Sequence, residues 1–382
     1  MTVKNIGGIE IWIQVRSNAR SGLVVKPCGY HQLNAVAVLC RTLSTMTTKE
    51  AQLNHAAAAQ PIFISTPILH SFITHKSLIH HLQSTLPTLS PTIHSPIRHA
   101  HQTSPSSSLL LMPSWSLSPS LPYVGIKLVT YYPNNSTLNL PGVQASYVLF
   151  NSLTGQPLAS IDATELTLYR TSCVSALASF YLSREDSETL LMIGSGSLAP
   201  HLIKAHLSVR PKVKKVIIWN RTEEKARNLV EKMSNEGCFE GVCFESSGFL
   251  EEVVKVVDII SCATNSEIPL VKGVDLKAGT HLDLVGSFKH SMKECDDEAI
   301  RRGRVFVDNE AAMTEAGELV GAFERGVITK DEIAGDLVGL IKGEKPERKN
   351  SKEITVFKSV GSAVVDLLSA QLVYENYIKS EQ

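Results

Sequence analysis

An excess of charge of either sign is what this chain most plainly lacks: 37 Lys and Arg balance 37 Asp and Glu over 382 residues. A formal net charge of zero argues against a polyanionic partner such as a nucleic acid, and the basic cluster from Arg210 to Lys215 reads as a solvated element end. Long apolar runs are also missing, and none reaches the ~20 residues a membrane helix needs. Seven cysteines, at positions 28, 40, 173, 238, 243, 262 and 295, contain no C-x-x-C pair. An odd, scattered set argues against a disulfide framework or a zinc site and for a reducing compartment. With 43% hydrophobic and 19% charged residues, what remains is an ordinary soluble globular chain, long enough for two domains.

Acidic residues are scarcest at the start. Met1 to Thr45 carries Lys4, Arg16, Arg20, Lys26 and Arg41 against Glu10 alone, the acid-poor composition of an organelle transit peptide. Translated upstream sequence ahead of Met46 is the competing reading. Residues 1–59 are therefore expected to be a transit peptide or a disordered extension, and the fold is expected to begin near Pro61. Between His70 and His101 lie seven histidines whose spacing offers no metal site; packing or solvated roles are expected, and no metal is.

The richest motif is Leu190-Leu191-Met192-Ile193-Gly194-Ser195-Gly196-Ser197-Leu198-Ala199, an apolar run that breaks into G-x-G-x-x-A. In a strand-turn-helix of this kind Gly194 permits the tight turn, Gly196 lets backbone approach a pyrophosphate and Ala199 lets the helix pack closely. The diphosphate then meets free N–H groups, including that of Ser197, at the helix start. The helix is predicted over Leu198–Val209, with Pro200 in its first turn and Arg210-Pro211 closing it. A second strand, Val216–Trp219, runs into Asn220, Arg221 and Thr222. An NAD site would place a carboxylate there for the ribose 2′-hydroxyl, whereas guanidinium and hydroxyl groups suit a 2′-phosphate. NADPH is therefore preferred over NADH. The plainer alternative makes Thr222 a helix N-cap and Arg221 a solvated charge.

Strands are expected at Leu190–Ile193, Val216–Trp219, Val242–Phe244, Asp258–Cys262, His281–Val285 and Val305–Val307, most separated by helical segments. That alternation predicts an α/β fold with a doubly wound Rossmann sheet over residues 181–349. A second, α+β substrate and dimerisation domain is expected from both ends of the chain, residues 60–180 and 350–382. Its elements are a short strand Leu109–Met112, strands Val124–Tyr132 and Ala145–Asn151, a helix Thr164–Phe180 and a closing helix Ala363–Tyr377. Thr264, Asn265 and Ser266 follow a sheet strand where such sheets meet their ligand, and Thr264 and Ser287 join the candidate cofactor contacts. Asp308 and Glu315 are expected to be solvated or capping, while Lys358 and Ser359 are expected to line the cleft.

Leu111-Met112-Pro113, Lys127-Leu128-Val129-Thr130, Tyr169-Arg170-Thr171, the Gly-rich turn, Trp219-Asn220-Arg221-Thr222 and Thr355-Val356-Phe357-Lys358-Ser359, in that order and spacing, resemble the ornithine cyclodeaminase/mu-crystallin family. The resemblance covers about residues 60–380 and is most specific toward the plant ketimine reductases of pipecolate biosynthesis. It implies NADPH-dependent reduction of 1-piperideine-2-carboxylate, a link to plant systemic acquired resistance, and a homodimer. A plastid destination is favoured, with the cytoplasm as alternative. By this resemblance Arg98, Lys127 and Arg170 are the candidate catalytic residues. The chemistry fits, because a cyclic imino acid needs fixed cations to hold its carboxylate and aim its imine carbon. Lys127 or a water could protonate the imine nitrogen.

One departure separates activities within the family. Ornithine cyclodeaminases carry an aspartate just after the Val-Gly pair of the fifth sheet strand, whereas Val285-Gly286-Ser287-Phe288 puts Phe288 there. Deaminating cyclisation loses its acid/base group while imine reduction does not need it. Phe288 is expected to pack on the pyridine or substrate ring, or to fill core. Alternatives are an ornithine cyclodeaminase, an alanine dehydrogenase-like enzyme and a non-catalytic crystallin-like binding protein.

Overall fold

The computed structural model describes residues 2–6 and 9–13, and 60–382 other than Asn139, Cys238 and Pro346. Two compact units result, one ending at Gln60 and one spanning Pro61–Gln382. In the first, β1 (Thr2–Ile6) pairs antiparallel with β2 (Ile9–Ile13); the transit-peptide expectation otherwise falls outside the described residues.

The second unit contains two sheets. Its first half builds a mixed sheet from β3 (Ile62–Ile64), β4 (Ile93–His94), β5 (His99–Gln102), β6 (Ser108–Ser116), β7 (Tyr123–Tyr131), β8 (Val143–Asn151) and β9 (Pro157–Asp162). The order is β3-β9-β8-β7-β6-β4, with β5 also on β6; β3 and β9 run parallel and the other pairs antiparallel. Strand β6 is much longer than the expected Leu109–Met112. It continues through Pro113, which lies on β6 between Leu111, paired with His99 of β5, and Trp115, paired with His94 of β4, where no outer ladder exists for a missing N–H to break.

Helix Ala163–Leu182 follows, its first N–H groups capped by Asp162 Oδ1 at 3.0 Å from Thr164 N and 3.3 Å from Glu165 N. Its second half, Arg170–Ser179, is buried at every position, which suits its small and apolar residues. It packs against helices His75–Leu89, Leu198–Val209 and Ala363–Ser380, and so joins the two sheets.

The second sheet has eight parallel strands: β10 (Thr189–Ile193), β11 (Lys215–Trp219), β12 (Cys243–Ser246), β13 (Ile259–Cys262), β14 (His281–Leu284), β15 (Arg304–Val307), β16 (Gly335–Asp336) and β17 (Thr355–Lys358). Their order is β12-β11-β10-β13-β14-β17-β15-β16, all parallel. Both faces are covered, so Leu190–Ile193 of β10 and all of β13 and β14 are buried, even at the polar Ser261, His281 and Asp283. The chain winds outward from β10 to β12 and then restarts at β13, so the topological switch lies between β10 and β13. One segment sits elsewhere than expected: Thr355–Lys358, assigned by sequence to the first domain, is inserted between β14 and β15. All four of its residues are buried, as an internal parallel strand requires. Only the following helix, Ala363–Ser380, returns to β6 and β7.

Candidate active site

Alternation along β7 puts Gly125, Lys127 and Val129 on the covered face of the mixed sheet. Directly across from Lys127 are Met112 on β6 and Tyr147 on β8. The Tyr147 phenol crosses Gly125, where a Cβ would lie 2.0 Å from its oxygen, so only glycine fits there. Helix Ala163–Leu182 brings Arg170 to this face, and helix Ala363–Ser380, started by the Ser362 cap on Val364 N, brings Asp366. Lys127 Nζ lies 3.0 Å from Asp366 Oδ1 and 2.8 Å from Oδ2, and Arg170 Nε lies 2.9 Å from Oδ1. The three side chains are 3%, 1% and 7% exposed for Lys127, Asp366 and Arg170.

Burial among these charges tunes them in opposite directions. Desolvation and then the Arg170 guanidinium bring the Lys127 ammonium down to about 8, against the support of Asp366. For Asp366, burial pushes upward but is overcome by Arg170 and Lys127, which hold its carboxyl below the usual range. A buried lysine that can lose its proton near neutrality thus stands beside the planar guanidinium fork of Arg170.

Arg98 approaches the same cluster from the loop before β5. Its Nη2 donates to Val360 O at 3.3 Å and pairs with Glu315 Oε2 at 2.8 Å. Glu315, expected to be solvated or capping, is instead this half-buried partner, because helix Ala312–Glu315 ends against Arg98. Asp308 is not solvated either: its Oδ2 accepts from Ser359 Oγ, Val360 N and Gly361 N at 2.8, 3.1 and 2.8 Å. That carboxylate shapes the exit of β17, whose Gly361 takes φ +85° and leaves no room for a Cβ, which would sit 2.6 Å from Arg170 Nη1. Lys358 does not line the cleft as expected. It is fully buried, with Nζ 3.0 Å from Glu318 Oε1, since its strand lies inside the sheet.

Arg170 therefore meets the carboxyl-end edge of the parallel sheet, which also carries the Gly-rich turn. Gly194 has φ +106°, and a Cβ there would fall 2.6 Å from Ala263 O; the turn is pinched between β10 and β13 at the switch point. Gly196 differs. A Cβ on it would meet nothing within 4 Å, so no protein packing demands glycine, and the space is open to a ligand. Ser197 occupies the N-cap position of helix Leu198–Val209 without a side-chain cap bond, and Ala199 is buried beneath it. At the end of β11, Asn220 Nδ2 donates to Thr222 O at 2.9 Å. Thr222 holds the N-cap position of helix Glu223–Asn235, yet its hydroxyl caps nothing. Arg221 is exposed and has no acidic partner among the described residues. These groups fit a dinucleotide: an open backbone cradle, and at the end of β11 a guanidinium without an acidic partner among the described residues and a hydroxyl that caps nothing.

Two further candidates are more committed. Thr264 N and Oγ1 both donate to Glu294 Oε1, at 2.7 and 2.9 Å, and Gly286 N donates to Glu294 Oε2 at 2.7 Å. This buried carboxylate ties together the loops after β13 and β14; burial raises it to about 7. Ser287 is fully buried, donating to Met292 O at 2.9 Å and accepting from Gly317 N at 3.2 Å. Phe288, after β14, packs edge-on against Tyr131 at the end of β7, with ring centroids 6.1 Å apart. It thus links the loop after β14 to the end of β7.

Asp366, Tyr147 and Glu294 were missed in the sequence. For Asp366 a signal existed: it is the only charge in Ser362-Ala363-Val364-Val365-Asp366-Leu367-Leu368-Ser369-Ala370, and a lone acid in an apolar helix asks for a buried cation.

The fold that holds two buried cations at one sheet and an open Gly-rich turn in the other has counterparts among known proteins. The family described as ornithine cyclodeaminase/mu-crystallin matches residues 69–381. The chain belongs to that family. It is 60% identical over 321 residues to Protein SAR DEFICIENT 4 of Arabidopsis thaliana, covering 84% of this chain and 99% of that protein. Delta(1)-pyrroline-2-carboxylate reductase of Colwellia psychrerythraea is 38% identical over 319 residues, covering 82% and 98%. Among solved structures, Thermococcus litoralis Delta(1)-pyrroline-2-carboxylate reductase in complex with NADH and L-proline superposes with TM-score 0.79 at 30% identity, covering 84% of this chain and 98% of that one.

Proposed function

We propose that this family member is an NADPH-dependent ketimine reductase that converts 1-piperideine-2-carboxylate to pipecolate, a step tied to plant systemic acquired resistance. It is an oxidoreductase acting on the C=N bond, as the reductases among its relatives are. The observation that carries the reading is the convergence of Lys127 and Arg170 beside the carboxyl-end edge of the dinucleotide sheet. Arg170 meets Asp366 through Nε, and its fork of terminal nitrogens suits a substrate carboxylate. Lys127, held near the point where a proton can be given or kept, supplies the proton to the imine nitrogen as the carbon is reduced. Nicotinamide, when bound, supplies the hydride that forms the new C–H bond. Gly194, Gly196, Ser197 and Ala199 form its diphosphate cradle, and Thr264 lies where the pyridine end would reach. Arg221, with Asn220 and Thr222, favours the 2′-phosphate of NADPH. Ser287 acts indirectly, by fixing the loop that carries Phe288, which packs on Tyr131 and stands where a cyclodeaminase has its aspartate.

A homodimer belongs to this reading. The face of the mixed sheet turned away from the helices carries Leu111, Pro113, Trp115, Ile126, Val148 and Phe150 in cross-strand register, all partly exposed. An antiparallel sheet facing water is polar on its open side, and an apolar one fits a second copy. Plastid import through residues 1–59 completes the proposal. No helix among the described residues is long and apolar enough to cross a membrane.

Loss of NADPH absorbance on adding 1-piperideine-2-carboxylate, with 1-pyrroline-2-carboxylate, ornithine and alanine as comparisons, tests the activity. Faster turnover of the six-membered imine is expected. Ammonia release from ornithine, or turnover of alanine only, overturns it.

A further inference from the structure

We propose that Asp366 is a positioning residue that sets the substrate pocket at one net positive charge, and so selects monocarboxylate imines against dicarboxylates. This rests on the imine-reductase reading and deepens it. The charges that face the pocket can be followed element by element. Lys127 comes from β7 and Arg170 from helix Ala163–Leu182, while Asp366, from the last helix, contacts both. Arg98 is cancelled by Glu315 at 2.8 Å, and Asp308, which follows β15, is held by Ser359 Oγ and the N–H groups of Val360 and Gly361 and contacts neither Lys127 nor Arg170 by an ion pair. Tyr147, from β8, is a buried neutral phenol. Two cations less one anion leave a single positive charge, which one carboxylate neutralises; a second carboxylate would enter a desolvated site without a counter-charge.

The same contacts give Asp366 a second consequence. Both of its oxygens touch Lys127 Nζ within 3.0 Å, which points the ammonium and keeps it protonated against desolvation and against Arg170. Meanwhile the Nε contact orients the Arg170 fork with Nη1 against Gly361. Asp366 itself has no oxygen left unengaged by a cation, so it acts through these two residues and not on the substrate.

Charge substitutions separate this role from mere support. Binding of pyridine-2-carboxylate and pyridine-2,3-dicarboxylate, unreactive cyclic acids, is measured by calorimetry on enzyme saturated with NADPH, whose dihydropyridine ring adds no charge, for wild type, Asp366→Asn, Lys127→Met and the Lys127→Met/Asp366→Asn double variant. Wild type is expected to prefer the monocarboxylate, and Asp366→Asn to move the ratio about tenfold or more toward the dicarboxylate. Lys127→Met should weaken monocarboxylate binding about tenfold, and the double variant, again at one net positive charge, should recover to within about threefold of wild type without regaining turnover. The basic limb of kcat/KM should also fall by about one pH unit in Asp366→Asn. An unchanged acid preference with an unmoved limb overturns the proposal. So does a folded double variant that fails to recover binding; that test stands even where Asp366→Asn alone does not fold, because the double variant strands one buried cation and not two. Turnover of cyclic imines by wild type tests the underlying reading separately, since the binding ratios need no reaction.

Discussion

Asp366 Oδ2 lies 2.8 Å from Lys127 Nζ, a buried ion pair between residues 239 positions apart. It fastens the terminal helix to the mixed sheet that carries Lys127. Removing one partner of such a pair leaves a charge stranded in the core, which costs about 3–5 kcal/mol. Asp366→Ala should therefore lower stability by about that amount in urea unfolding, and Lys127→Met/Asp366→Asn by less than Asp366→Ala.

The pH dependence follows from the direction of the Lys127 shift. Its ammonium is lowered from 10.5 to about 8, so the proton is present below that value and lost above it. If the imine nitrogen takes its proton from Lys127, kcat/KM should be level below about pH 8 and decline above it. Lys127→Met should abolish that limb and reduce kcat by about 10²–10⁴-fold. A pH–rate profile of both proteins checks this.

Arg170 is expected to act on binding of the acid. Replacing its fork with a point charge, Arg170→Lys, removes the geometry that holds a carboxylate by two nitrogens. The loss of a charged hydrogen bond, about 1.5–3 kcal/mol, should raise KM for the imino acid about ten- to a hundredfold. KM for NADPH should move little, as steady-state kinetics with each substrate varied will show.

Cofactor choice is assigned to Arg221, which is exposed and free of any acidic partner among the described residues. Arg221→Asp should weaken NADPH binding by about tenfold or more and spare NADH, because a carboxylate repels the 2′-phosphate but can bond the 2′-hydroxyl. Fluorescence titration with both nucleotides gives the answer, and an unaltered preference removes Arg221 from the site.

Gly194 is strained against any replacement. At φ +106° with Ala263 O 2.6 Å from a notional Cβ, Gly194→Ala adds backbone strain of about 1–2 kcal/mol and pushes β10 from β13. Lower thermal stability and weakened nucleotide binding are expected together, by melting curves with and without NADPH.

Where local pattern decides structure, the sequence was legible. Helix Leu198–Val209 was read to its ends, because the Gly-rich turn opens it and Arg210-Pro211 closes it. Helix Ala163–Leu182 and strands β7, β8, β10 and β11 were placed to within a residue or two. Long-range pairing was harder to read. Thr355–Lys358 has the composition of a buried strand, but only its ladders to β14 and β15 say which sheet owns it. The fates of charged residues were hidden for the same reason. Lys358, Glu315 and Asp308 looked like cleft or surface groups, and each is consumed by a partner remote in the chain, Glu318, Arg98 and the 359–361 turn respectively. Lys127 and Arg170 were found through family resemblance, whereas the acid between them came only with the fold.

The most direct measurement is a crystal structure with NADP+ and L-pipecolate bound. The ligand carboxylate should lie within hydrogen-bond distance of the Arg170 terminal nitrogens, its ring nitrogen beside Lys127 Nζ, and the 2′-phosphate on Arg221. A carboxylate bound away from Arg170 and Lys127 would contradict the assignment of the pocket.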